Sequence, residues 1–121
     1  MPFYWIGKKV EAVAKAKKKL IRQAFRADCL KRDGYKCRVC GLKPTSAEEL
    51  DVHHITDRSK MPNGGYVKEN GISLCSECHQ KAERFHSSGG QCWEINMHPD
   101  NLYDLIGSSI GEAWLASGEL N

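Results

Sequence analysis

The chain has 121 residues, 27% of them charged and 40% hydrophobic, the balance of an ordinary globular protein rather than a disordered or fibrous one, and at this length a single domain over 1–121 is expected. No apolar run is long enough to span a bilayer, and the opening Phe3-Tyr4-Trp5-Ile6 is too short for a signal-peptide core and runs into lysines, so the expectation is an intracellular protein with no membrane partner. The net charge of +3 hides an asymmetry: residues 1–40 hold 12 Lys/Arg against 3 Asp/Glu, while residues 41–121 hold 6 against 12, which makes the N-terminal end a candidate contact for a polyanion.

A basic helix is predicted from residue 8 to about 32, within a segment bounded at 8–33. Val13, Ala16, Leu20, Ala24 and Ala27 recur at helical spacing, with Ile21 and Phe25 widening the stripe, and this face is expected to pack on the domain. Lys15, Lys18, Arg22 and Arg26 form a second stripe, roughly 200° around the helix and facing outward. Asp33-Gly34 ends the helix. The pair Cys37-x-x-Cys40 follows, closed by Gly41, and residues 42–49 read as loop. Leu50–Ile55 is a candidate strand, residues 56–69 a polar loop around Pro62-Asn-Gly-Gly65, and Ile72–Leu74 a second strand. Cys78–Phe85 reads as helix, and Ser87-Ser-Gly-Gly90 breaks it. From Pro99 to about Ala116 a further helical region is broken at Gly107-Ser-Ser109, with Asp100 as a favourable charge at its start. The core segment thus runs over 37–86 and a C-terminal helical extension over 87–121.

Four of the six cysteines fall in two CxxC pairs, Cys37/Cys40 and Cys75/Cys78. Without an export signal, paired cysteines point to thiolate–metal ligation rather than disulfides. Zinc takes four such sulfurs in a tetrahedron, and a small core gains from a metal staple. A redox CxxC would stand alone beside a βαβ pattern, and neither condition holds. One structural Zn²⁺ on Cys37, Cys40, Cys75 and Cys78 is therefore expected, with Cys29 and Cys92 as free thiols.

The four-sulfur site leaves the histidines to be explained. His53 and His54 are adjacent, so on a strand they point to opposite faces and have unlike tasks. His79 follows Cys78, where the zinc knuckle holds it, and Glu83 lies on the same helix face four residues later. His86 and His98 stand outside this spacing and read as structural or exposed.

Val52-His53-His54-Ile55, then Asn70-Gly-Ile-Ser-Leu-Cys75-Ser-Glu-Cys78-His79, resembles the HNH endonuclease family in its four-cysteine form. The resemblance runs from Cys37 to Phe85 and implies an α+β fold, a ββα-metal core stapled by zinc, here flanked by the basic helix and the C-terminal helices. It implies His54 as general base, Asn70 as the residue that braces the loop and the base's backbone, and His53 and His79 as ligands of a catalytic divalent cation, Mg²⁺ or Mn²⁺ with Ni²⁺ or Zn²⁺ as alternatives. Where colicin-type members have a further histidine this chain has Glu83, which either supplies an oxygen ligand or is a solvated residue replaced by water. Asp51 either orients a basic side chain of the site or lies on the surface. The implied reaction is hydrolysis of DNA phosphodiester bonds to 5′-phosphate and 3′-hydroxyl ends, by nicking or double-strand cleavage, in a monomer or weak dimer of bacteriophage or bacterial type, with a phage or host protein as a conceivable partner and the host cytoplasm as location. Lys15, Lys18, Lys19, Arg22, Arg26 and Arg58 are the expected DNA phosphate contacts. The rival readings are a non-catalytic zinc-stabilised DNA-binding module with a relic site, and a zinc-stabilised protein-interaction module.

Overall fold

The computed structural model describes the backbone of residues 2–120 and the side chains of residues 11–120. The first helix, α1, spans Pro2–Arg32, beginning six residues before the predicted start. Its packing differs from the expectation. Residues 11–20 are exposed on every side, with Val13 68% and Leu20 65% accessible, and Ala16, Ala24 and Ala27 are exposed too. Contact with the rest of the fold comes from Ile21, Phe25 and Cys29 on one face, with Leu30 beside them. The physical reason is size: an alanine-rich stripe offers little apolar area to bury, whereas Phe25 and Cys29, one helical turn apart, supply a ring and a sulfur that close over the small sheet.

Two strands form that sheet. β1 (Asp51–His54) pairs antiparallel with β2 (Gly71–Leu74) in the register Asp51 with Leu74, Val52 with Ser73, His53 with Ile72 and His54 with Gly71. β2 is buried along its whole length, and Leu50, Ile55, Ile72, Leu74 and Leu102 are fully enclosed. Each such side chain contributes about 1.5–3 kcal/mol. Gly71 is required by close approach: a Cβ there would lie 2.5 Å from Cys29 Sγ and 2.6 Å from the Phe25 ring, so any side chain would lift α1 off the sheet. Asp33, its side chain fully buried, joins three elements. It accepts from Arg32 Nε and Nη2 at 2.8 Å each, from Arg38 Nη1 at 3.2 Å and from the Ser73 amide at 2.9 Å. The end of α1, the first cysteine turn and β2 are tied at that carboxylate.

The predicted polar loop between the strands is a series of short 3₁₀ turns, Arg58–Lys60, Pro62–Gly65 and Lys68–Asn70. α2 (Ser76–Ser87) follows β2 with Cys75 as its N-cap. α3 (Pro99–Ile106) and α4 (Ile110–Gly118) are separated where predicted, the left-handed Gly107 stopping α3. Both buttress the loop: the Ser117 hydroxyl donates to the Pro62 carbonyl and accepts from the Gly65 amide at 3.0 Å. The result is a small α+β fold of four helices and one two-stranded sheet, with β1, β2 and α2 in ββα order. Among the described residues no helix is long and apolar enough to cross a membrane.

Candidate active site and zinc centre

The two cysteine turns meet as the sequence requires. Cys37, Cys40, Cys75 and Cys78 present four sulfurs within 4.8 Å of one another, and Cys40 Sγ lies 3.7 Å from Cys75 Sγ. Tetrahedral ligands with Zn–S bonds of about 2.3 Å stand about 3.8 Å apart along each edge, so the spacing fits a zinc ion and is far too long for a disulfide. Burial works to raise the Cys37 thiol, but the backbone amides of Cys40, Cys75 and Val39 outweigh it and bring the group down to about 7. Cys78 is pushed up by burial and by the neighbouring sulfurs. A cation among the four relieves that repulsion. Cys29 and Cys92 are free thiols, the first buried and the second exposed.

The second cluster lies between β1 and α2. His53 Nδ1 is 3.2 Å from Glu83 Oε1, and His79 Nε2 is 3.4 Å from the same oxygen. Donors around one cation with bonds of about 2.1 Å are separated by about 3.0–3.4 Å, so the three atoms have the spacing of a shared ligand set. His53 is 2% exposed and its Nδ1 has no hydrogen-bond partner. Burial, followed by the neighbouring His86, His79 and His54, holds its imidazole down to about 3. A neutral buried imidazole facing a carboxylate oxygen with no hydrogen bond between them is suited to a metal ion. The His79 ring is held by the Asp51 carboxylate, to whose Oδ2 its Nδ1 donates at 3.0 Å, and its Nε2 faces Glu83. The Glu83 side chain is 49% exposed, so this cluster has an open side, as a catalytic metal site requires.

His54 points the other way. As the strand period demands, its ring faces α1, 4.7 Å from the Phe25 ring and 4.7 Å from Tyr66 at 89°. Burial brings its imidazole down to about 4, with the Arg58 guanidinium adding to the effect. Its Nε2 is buried without a hydrogen-bond partner. The backbone of His54 is held from the α2 side, where His86 Nε2 donates to its carbonyl at 2.9 Å and the His86 ring stacks on His53 with centroids 5.1 Å apart. His86, expected to be structural or exposed, is thus a structural brace whose particular contact was not foreseen. Its spacing was the missed signal, because 79, 83 and 86 are i, i+4 and i+7 on one helix face. His98 is structural as expected, its Nδ1 accepting from the Asp100 amide to cap α3.

Asn70 is fully buried and uses all of its hydrogen-bonding capacity. Oδ1 accepts from the Thr56 amide at 2.9 Å and the Tyr103 hydroxyl at 2.7 Å, while Nδ2 donates to the Thr56 and Gly65 carbonyls at 3.0 and 3.2 Å. Since the one Tyr103 proton goes to Asn70, the Thr56 hydroxyl donates to Tyr103 at 2.6 Å. The backbone carbonyl of Asn70 accepts from the Ile55 amide at 2.9 Å. Asn70 therefore braces the two residues that follow His54 and has no group left for substrate. Gly65 sits at φ +70°, and a Cβ there would lie 2.6 Å from Asn70 Nδ2, so this turn is closed to other residues. Tyr103, whose phenol is raised by burial, gave no sequence signal, because the contact spans 33 positions.

Residues 37–85 match the family model for HNH endonuclease. This segment is an HNH domain. Neither a curated protein nor a solved structure matches the chain. The HNH match brings with it a nuclease or DNA-binding role. The basic residues singled out for DNA fall into two sets. Lys15, Lys18 and Lys19 stand exposed on the free half of α1. Arg22 and Arg58 gather at Tyr66, Arg22 over the ring at 5.3 Å and Arg58 Nη1 donating to the hydroxyl at 2.9 Å. Arg26 is half-buried and engages the Leu50 and Ala47 carbonyls at 3.0 and 3.2 Å, which makes it a brace between α1 and the start of β1.

Proposed function

We propose that the protein is a metal-dependent endonuclease that hydrolyses DNA phosphodiester bonds, with His54 as general base. The observation that carries this reading is the approach of His53 Nδ1 and His79 Nε2 to one Glu83 oxygen, next in sequence to an imidazole kept neutral by burial. When bound there, a divalent cation supplies positive charge to the scissile phosphate and its leaving 3′-oxygen. His53, His79 and Glu83 hold it, Asp51 fixes the tautomer of His79, and the carboxylate favours Mg²⁺ or Mn²⁺ while the two imidazoles suit Ni²⁺ or Zn²⁺. His54 takes a proton from the water that attacks phosphorus, the P–O3′ bond breaks, and the departing 3′-oxygen takes a proton from solvent, which leaves 5′-phosphate and 3′-hydroxyl ends. Asn70 and His86 keep the His54 backbone in place. Lys15, Lys18 and Lys19 draw in the DNA backbone without reading its sequence.

A specific observation favours the second reading, a zinc-stapled DNA-binding module without catalysis: the His54 ring lies on the hairpin face opposite the His53–His79–Glu83 cluster. One experiment separates the two. Supercoiled plasmid is incubated with zinc-loaded protein and Mg²⁺, Mn²⁺, Ni²⁺ or EDTA, beside folded His54→Ala. The nuclease reading expects metal-dependent conversion that is slower by about 10²–10⁴-fold in the variant. Equal metal-dependent rates in the two proteins would remove His54 as the base, and no conversion with any metal, although both proteins bind DNA, would leave the binding module.

A further inference from the structure

An open groove of about 430 Å³ lies between α1 and the C-terminal end of the fold, with Tyr66 in its lining, a size within the range of small-ligand pockets. Apolar and cationic side chains line it, together with the neutral polar Asn63 and Tyr66. Ala14, Ile21 and Leu120 give apolar surface, and Lys17, Lys18 and Arg22 give positive charge, with no carboxylate among the lining residues. The α1 contributors sit at positions 14, 17, 18, 21 and 22, one continuous helix face. The Tyr66 ring forms the wall toward His54, and the guanidinium over that ring, from Arg22, also lines the cavity. Arg58 reaches the same phenol from outside. An apolar floor with a cationic rim fits a ligand that has a flat, weakly polar face and an anionic end, and a single nucleotide has both.

We propose that this cavity is a subsite for one nucleotide of the substrate strand adjoining the phosphate at His54, its base on the Ile21–Leu120 floor beside the Arg22 guanidinium and its phosphate among Lys17, Lys18 and Arg22. The identity of the ligand as substrate strand rests on the nuclease reading. A base enters such a site only by leaving the duplex stack, and this is easiest where it is already unpaired. The protein therefore prefers DNA with an unpaired nucleotide and acts beside it.

The test compares a matched DNA duplex with one carrying a single bulged 2-aminopurine, using zinc-loaded protein without added divalent metal, so that binding is read apart from cleavage. The wild-type protein is expected to bind the bulged duplex about tenfold more tightly and to change the 2-aminopurine fluorescence. Ala14→Phe, which fills the cavity from an exposed helix position, is expected to bind both duplexes equally and to leave the fluorescence unchanged. The double variant Lys17→Ala/Lys18→Ala, which leaves the floor intact, is expected to lower the preference through the rim. Equal wild-type affinity for the two duplexes, or a preference retained in both variants, overturns the subsite. Plasmid cleavage run in parallel keeps the two claims apart. Cleavage without a bulge preference removes the subsite alone. A cavity-dependent preference without cleavage supports the subsite and counts against the nuclease.

Discussion

Asn70→Ala should destabilise the zinc-loaded protein by about 4 kcal/mol. The side chain is 0% exposed, and its loss strands the Thr56 amide, the Thr56 carbonyl and the Gly65 carbonyl, which it contacts at 2.9, 3.0 and 3.2 Å. A buried polar group left without its partner costs about 1–3 kcal/mol. Three groups at the low end of that range, with a small cavity added, give the total. Tyr103→Phe removes a single hydroxyl between Thr56 and Asn70 and should cost about 1–1.5 kcal/mol. Once Asn70 is gone that hydroxyl has lost its acceptor, so the double variant should fall short of additivity by about 1 kcal/mol. Urea unfolding followed by circular dichroism, with the slope unchanged across the series, gives all three values. A cost below about 1.5 kcal/mol for Asn70→Ala, or strict additivity with Tyr103→Phe, would refute the description of Asn70 as a fully engaged brace and return it to the substrate side of the site.

Asp51→Asn should lower the affinity of the His53–His79–Glu83 cluster for a divalent cation by about 10–100-fold, measured by titration calorimetry on protein that keeps its cysteine-bound zinc; unchanged affinity would mean that Asp51 does not orient His79. Stability should fall in acid. His53 and His54 are held at about 3 and about 4 in the fold against about 6.5 in the unfolded chain, so the unfolded state binds more protons between those limits. Their contribution is complete above pH 6.5 and is lost as the pH drops, about 1–2 kcal/mol for each group by pH 5. His54→Gln should flatten that slope when no catalytic cation is added, and a parallel slope in the variant would count against burial as the cause. Replacing Lys15, Lys18 and Lys19 by glutamine should weaken DNA binding and make the dependence of log K on log salt shallower by about 2.7; a slope equal to that of the wild type would remove these lysines from the phosphate contacts.

The four-cysteine cluster and the ββα order were legible because their parts are local. A CxxC turn presents two sulfurs by itself, and Val52-His53-His54-Ile55 carries the strand period that sends adjacent histidines to opposite faces. His79 and Glu83 were legible for the same reason, as i, i+4 neighbours on α2. The packing of α1 was not. The Val13–Ala27 stripe has regular helical spacing, but spacing alone does not say how much of a 31-residue helix a four-residue hairpin can cover. Only the last three turns found a surface, and there the close contact of Phe25 and Cys29 with Gly71 decided the face. Arg26 shows the same limit: its sequence place is that of a phosphate contact, while its partners are carbonyls 21 and 24 residues away. Tyr66 and Tyr103 lie in segments without periodicity, so their parts in the site depend wholly on where the loop and α3 come to rest.

The hairpin divides the work of the site between two helices. α2 supplies His79, Glu83 and His86 to the face that carries His53, and α1 supplies Phe25 and the cationic helix to the face that carries His54. On the proposed reading, metal affinity and proton transfer would thus be changed separately. A change at Phe25 alters the surroundings of His54 and leaves the three ligand atoms alone, whereas a change at Asp51 does the reverse. β1 stops at His54. Asn70 closes the turn beyond that end, and the cysteine-held start of α2 fixes its other border. On the proposed reading, removing the metal that the four cysteines would hold should cost cleavage before it costs DNA binding by the lysines of α1.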